Sequence, residues 1–343
     1  MTTNENKKKP KILILFCGGT IVMKSSDGIT NETVDKKEAI KIMLNLEPKL
    51  KEDIEKDISY IDNIDSANIY PHHWDRIAEI IHQKYDDYDG FVITHGTNSM
   101  AYTSSALSYA LQDLGKPVVL TGAQIPGYKV ETDARRNFVN ACRVATMDIA
   151  GVMIVFDEEI IMGSRASKVS ESKLDAFETI NWDLLGEIRI DVRLSTWRQR
   201  RDHSKKLVLK KGFDYNILAL FVLPQMPIHL LEKSLSQDVH GIVLSGYGPG
   251  DIPYDFLPFL KKCKNKKIPV VITNQCMEGA TLMLTNDVGR QALQAGAIQA
   301  YDMSIESVTT KLMWALKHYP YEKIEEIMHT NFTGEINKEG VIY

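Results

Sequence analysis

Short apolar runs alternate with stretches of helical period along most of this chain. Lys11–Phe16, Gly90–Thr94, Pro117–Thr121 and Gly151–Phe156 read as buried strands. Between them, Trp74–Tyr85, Ala101–Leu114 and Thr132–Met147 read as helices. Leu107, Ala110 and Leu111 share one face of the second, and Phe138, Ala141, Cys142 and Ala145 share one face of the third. Repeated strand–helix–strand order predicts a parallel sheet flanked by helices. The rhythm breaks over residues 193–212 and then resumes. Ile217–Leu223, Gly241–Leu244 and Ile268–Thr273 read as strands, and Phe256–Cys263, Val288–Ala295, Ser304–Leu316 and Tyr321–His329 as helices. The expected fold class is therefore α/β, with a larger N-terminal domain carrying a mainly parallel sheet and a smaller C-terminal α/β domain. The expected limits are a disordered tail at 1–10, the first domain at 11–192, a linker at 193–212 and the second domain at 213–343.

Composition adds little that is unusual. The chain has 343 residues, 44% of them hydrophobic and 25% charged, with a formal net charge of −4. A mildly acidic balance gives no electrostatic reason for a nucleic-acid or membrane partner. The basic cluster Arg198, Arg200, Arg201, Lys205 and Lys206 reads as a solvated face. No stretch approaches the roughly 18 apolar residues of a membrane span, and the run after Pro10 is too short for a signal peptide. The four cysteines (Cys17, Cys142, Cys263, Cys276) have no metal-binding spacing, which suits reduced thiols in the cytoplasm. His72-His73 has no further ligand at the right spacing, and adjacent histidines are expected to point apart. Neither a metal nor a cofactor is expected. Ser170-Glu171-Ser172-Lys173 matches S-x-x-K without its companion motifs.

Two strand-to-loop junctions carry the candidate chemistry. Phe16-Cys17-Gly18-Gly19-Thr20-Ile21 and Ile93-Thr94-His95-Gly96-Thr97-Asn98 each deliver a threonine beside glycine at the end of an apolar run. In parallel α/β sheets ligands sit outside the carboxyl ends of strands. Two hydroxyls at such ends can converge on one small substrate, with glycine letting backbone N–H groups approach it. This suggests a threonine nucleophile. Lys24–Thr33, rich in Ser, Gly, Asn, Asp and Thr, begins a few residues after Thr20. Its composition suits a mobile lid and an ordinary surface loop equally.

The junctions gain specificity from Thr121-Gly122-Ala123-Gln124 after a third strand and from Lys168 in Gly-Ser-Arg-Ala-Ser-Lys-Val-Ser. Further matches are Asp65-Ser66 before a Trp-containing helix, Thr132-Asp133-Ala134-Arg135, and Asn274-Gln275-Cys276-Met277-Glu278-Gly279. Together these resemble the bacterial-type L-asparaginases, closest to the cytoplasmic type I branch, over nearly the whole chain. The resemblance implies conversion of L-asparagine to L-aspartate and ammonia. Thr20 would attack the side-chain amide and form an acyl-enzyme. Thr97 and Lys168 would relay protons and position water, and Ser66 would bind the α-carboxylate. Gly19, Asp65, Gly96 and Ala123 would complete the substrate-binding surface. It also implies self-association as a homodimer or homotetramer.

Two departures from the pattern matter. Where the family's second motif reads His-Gly-Thr-Asp, this chain has Asn98. In relatives that aspartate pairs with the substrate's α-ammonium and completes a Thr-Asp-Lys constellation. Stranding a desolvated charge without its partner costs roughly 2–5 kcal/mol. Relatives also carry a lid tyrosine about nine or ten residues past the nucleophile, where this chain has Ile29 and Thr30. The alternative reading is thus a weakly active or inactive protein that binds asparagine or aspartate as a sensor. The ammonia-generating subunit of the archaeal glutamyl-tRNA amidotransferase is a further relative, but it carries an N-terminal domain for which the position of Gly18 leaves no room. Some type I members hold a regulatory asparagine near the Cys276 segment. An arginine found in them has no counterpart in Leu244-Ser245-Gly246-Tyr247, so allosteric control is not expected.

Overall fold

The computed structural model describes residues 8–22, 24–26, 29–32, 35–235 and 237–338, with the side chains of 24–26 and 29–32 outside that description. Two compact units emerge. The first comprises residues 1–163, 168–178 and 184–209, and the second 164–167, 179–183 and 210–343. The stretch 193–212, expected as a linker, thus lies in the first unit through Leu209. It is sewn down there. Ala150 N–H donates to Gln199 O at 2.9 Å, and Arg198 Nε donates to Asp148 O at 2.9 Å. Arg201 Nη2 donates to Ala145 O at 2.7 Å. Two of the basic side chains read as solvated are therefore spent on main-chain carbonyls.

The first unit is built on an eight-stranded sheet. From edge to edge its strands are Val192–Leu194, Gly186–Ile188, Glu159–Met162, Gly151–Phe156, Pro117–Thr121, Gly90–Thr94, Lys11–Gly18 and Glu55–Ile64. The last five in this order are parallel to one another, and the first three are antiparallel additions. Ile12 to Phe16 are at most 4% exposed, which explains why this strand reads as an unbroken apolar run. Glu55–Ile64 escapes detection because it is an edge strand with charged residues on its open face. The helix Met100–Ala110 stops earlier than the pattern to Leu114 suggests, because Leu111–Gln112 pairs as a short strand with Val208–Leu209. Lys24–Ser26 and Ile29–Glu32 pair as an antiparallel ribbon, not an open loop. The Ile29 side chain, expected in the lid, lies outside the described residues. His72 and His73 do not point apart. Both sit in the first turn of the helix Pro71–Gln83, with ring centroids 3.9 Å apart, and His73 Nδ1 accepts from Tyr70 N–H.

The second unit carries a four-stranded parallel sheet, ordered Ile217–Phe221, Gly241–Gly246, Val270–Asn274, Ala297–Gln299. Its core gathers Val222, Leu244, Phe256, Phe259 and Ile272. Buried charge pins the segment around Glu335. Lys311 donates to Glu335 at 2.6 Å with both side chains fully buried, and Arg165 donates to Asp302 at 2.8 Å. Among the described residues no helix is long and apolar enough to cross a membrane.

One pairing in the first sheet is unfavourable. Glu159 stands directly opposite Glu187 in antiparallel register. Burial, followed by the charges of Asp175, Glu178 and Glu187, pushes the Glu159 carboxyl up to about 7. The unfolded chain ionises this group near pH ~4.3, so between these values the folded state binds the extra proton and stability falls as pH rises. Replacing Glu159 by Gln is therefore expected to raise Tm more at about pH 8 than at about pH 5, as measured by thermal denaturation across that range.

Candidate active site

Neighbouring parallel strands end side by side, and their loops make the site. Gly18 and Gly19, with φ of +90° and +94°, turn the chain after the first strand. A Cβ on Gly19 would lie 2.7 Å from the Gly96 nitrogen, so the loops carrying Thr20 and Thr97 meet backbone to backbone. A Cβ on Gly96 would lie 2.6 Å from Ser66 Oγ, which brings in the segment following the edge strand. Gly127 N–H donates to Thr20 O at 3.4 Å and ties the Thr20 loop to the turn beyond Ala123. Ala123 is itself buried, and Thr20 is partly exposed.

Direct hydrogen bonds join the polar side chains. Lys168 Nζ donates to Thr97 Oγ1 at 2.8 Å and to Asn98 Oδ1 at 3.3 Å. Asn98 N–H donates to Ser66 Oγ at 3.1 Å, and Ser99 Oγ donates to Ser66 O at 2.5 Å. Asp65 Oδ1 accepts from Ala67 N–H at 2.8 Å and caps the short turn Ser66–Asn68. Among the described residues no hydrogen bond ties the Thr20 hydroxyl. No group of three His, Cys, Asp or Glu side chains among them is placed to hold a metal.

Burial lowers the Lys168 pKa below the ordinary lysine value of 10.5, and the charge of Glu171 partly offsets this. With two N–H groups given to Thr97 and Asn98, the remaining position on Nζ holds either the third proton or the lone pair. That is the geometry of a lysine able to exchange a proton.

Two participants received no role from the sequence. Thr97 Oγ1 donates to Gln124 Oε1 at 3.1 Å, so the Thr97 proton points at Gln124 and its lone pairs face Lys168. Gln124 Nε2 then donates to Glu171 O at 3.1 Å and Lys173 O at 3.0 Å, holding the segment that follows Lys168. Asp133, 4% exposed, accepts from Gln124 N–H at 3.0 Å and Ile125 N–H at 2.9 Å. Gln124 and Asp133 lie in the runs Thr121–Gln124 and Thr132–Arg135, but nothing in their spacing shows whom they bond. Behind the site, burial pushes His95 down to about 4, leaving it neutral. Because Gly96 O can only accept, Nδ1 carries the proton at 2.7 Å from it, and Thr103 donates to Nε2 at 2.9 Å.

The Asparaginase, N-terminal family matches residues 11–200, and the Glutaminase/Asparaginase C-terminal domain family matches residues 216–328. This chain belongs to the asparaginase family. It is 36% identical over 331 residues to an L-asparaginase of Thermococcus kodakarensis, covering 95% of this chain and 99% of that protein. The solved structure of the thermostable L-asparaginase from the same organism superposes with a TM-score of 0.87 at 35% identity, covering 95% and 99% of the two chains. L-asparaginase 1 of Escherichia coli is 33% identical over 97% of this chain and 99% of its own length. One component of the glutamyl-tRNA(Gln) amidotransferase of Pyrococcus horikoshii is 31% identical, with 95% of this chain matched to 77% of that protein.

In the second unit of the chain, a cavity of about 130 Å³ opens where Phe221, Ser245, Thr273 and Asn274 end their strands. Cys276 and Glu306 line it too, and among the described residues no basic side chain does. The arginine missing from the segment around Ser245 is thus not replaced there from another element.

Replacing Gln124 by Ala removes the acceptor that orients Thr97. A lost hydrogen bond of about 0.5–1.5 kcal/mol is expected to lower kcat by roughly 2- to 12-fold in an ammonia-release assay.

Proposed function

We propose that this protein hydrolyses L-asparagine to L-aspartate and ammonia through an acyl-enzyme on Thr20. The observation that carries this reading is the 2.8 Å contact between Lys168 Nζ and Thr97 Oγ1, held in loops that abut Gly19-Thr20. A threonine hydroxyl is a weak nucleophile and needs a base nearby. Thr20 Oγ attacks the amide carbonyl carbon and its proton passes into the Lys168–Thr97 pair. The C–N bond then breaks, and ammonia leaves with a proton returned from the pair. Water, deprotonated by the same pair, cleaves the ester and frees Thr20. Backbone N–H groups near Gly96 and Ala123 face the developing oxyanion, where one fixed donor is worth about 3–4 kcal/mol. Ser66 receives the substrate carboxylate.

The likeness to the L-asparaginases of Thermococcus kodakarensis and Escherichia coli supports asparagine as substrate. We further propose a homodimer or homotetramer, supported by exposed apolar side chains at Phe221, Leu223 and Leu230, and a cytoplasmic location, supported by four free cysteines. Asn98 favours a second reading, a sensor that binds asparagine or aspartate with little turnover.

Native protein is expected to release ammonia from L-asparagine, and Thr20→Ala to abolish that release. Stabilisation by ligand with no turnover would instead support the sensor. The lysine acts as a base only when neutral, so activity is expected to rise with pH along a limb set by Lys168. Because burial lowers its pKa, this limb falls below the ordinary lysine value. Lys168→Met is expected to remove the limb and lower kcat by about 10²- to 10⁴-fold, as read from pH–rate profiles of both proteins.

A further inference from the structure

The polar groups around Lys168 are, with few exceptions, donors. Lys168 gives an N–H to Asn98 Oδ1, so the amide oxygen faces the lysine and Nδ2 faces away from it. Ser66 Oγ already accepts from Asn98 N–H and has its own proton left to give. Thr97 Oγ1 takes an N–H from Lys168 and gives its proton to Gln124. Two carboxylates stand near in the chain. Asp65 has one oxygen bound by the Ala67 amide. Glu171 is exposed, acts on Lys168 through charge, and makes no hydrogen bond to it among the described residues.

Such a set suits an anion and disfavours a cation. A ligand carboxylate brings lone pairs to Ser66 and the loop amides. A ligand ammonium brings three more donors, and Asn98 offers it an NH₂ group instead of an anionic acceptor. We infer that this site hydrolyses ω-amides of dicarboxylic acids that carry no α-ammonium, of the succinamate type, on equal terms with L-asparagine. The inference rests on the amide hydrolysis proposed above. The step is the same: the Thr20 oxygen bonds the amide carbon, ammonia departs, and water releases the dicarboxylate.

Asn98→Asp separates the two substrate classes, since it places a carboxylate where Nδ2 now stands. The quantity to measure is kcat/KM for L-asparagine divided by kcat/KM for succinamate. For the native protein a ratio within about threefold of unity is expected. For Asn98→Asp the ratio is expected to rise at least tenfold, equivalent to about 1.4 kcal/mol. A ratio that stays within about twofold of the native value would overturn the inference. A second measurement needs no variant: thermal stabilisation of the native protein by succinate and by L-aspartate. Succinate is expected to bind at least as tightly, and a roughly tenfold preference for aspartate would defeat the idea. Succinate binding without ammonia release from either amide would strike the hydrolytic reading and leave this ligand preference standing.

Discussion

A lysine nitrogen held 2.8 Å from a threonine hydroxyl is the contact around which the rest of the first unit makes sense. It demands that a side chain from residue 168 reach a loop ending a strand at residue 94. That loop in turn must lie against two others at van der Waals limits. Gly19 and Gly96 are glycines because a Cβ at either would overlap the neighbouring loop. The parallel sheet supplies the alignment, since adjacent strands running the same way end on the same side. The order of strands then decides which loops become neighbours.

The electrostatics of the pair follow from what stands beside it. An anionic partner favours the ammonium form of a lysine, whereas burial without one favours the amine. Asn98 supplies an acceptor oxygen with no charge, and desolvation is the leading influence on Lys168. An uncharged acceptor beside Lys168 thus eases the lysine toward the form that takes up a proton.

Hydrogen-bond direction orders the site further. Gln124 accepts the Thr97 proton and anchors the segment after Lys168 with the other end of the same amide. Asp133 fixes Gln124 through its main chain. His95, kept neutral by burial, braces the glycine loop from behind. Each of these groups acts by removing a freedom from another, so their effect depends on the fold holding all of them at once.

Periodicity alone was enough to read the buried parallel strands, because strands covered on both faces are unbroken apolar runs; Gly90–Thr94, Pro117–Thr121 and Gly151–Phe156 have the limits their residues suggest. Glycine beside threonine at strand ends likewise marked Thr20 and Thr97 as candidates. Half-polar elements were not legible in that way. Glu55–Ile64 has charged residues along it and none fully buried, and the antiparallel strands from Glu159 onward run only three or four residues, too short to show a period. The bonds of Gln124 and Asp133, the orientation of the Asn98 amide and the stitching of Arg201 onto carbonyls were beyond reach as well. Local preference is written in neighbouring residues, whereas a contact between residues 97 and 168 exists only once the sheet has set the distance between them.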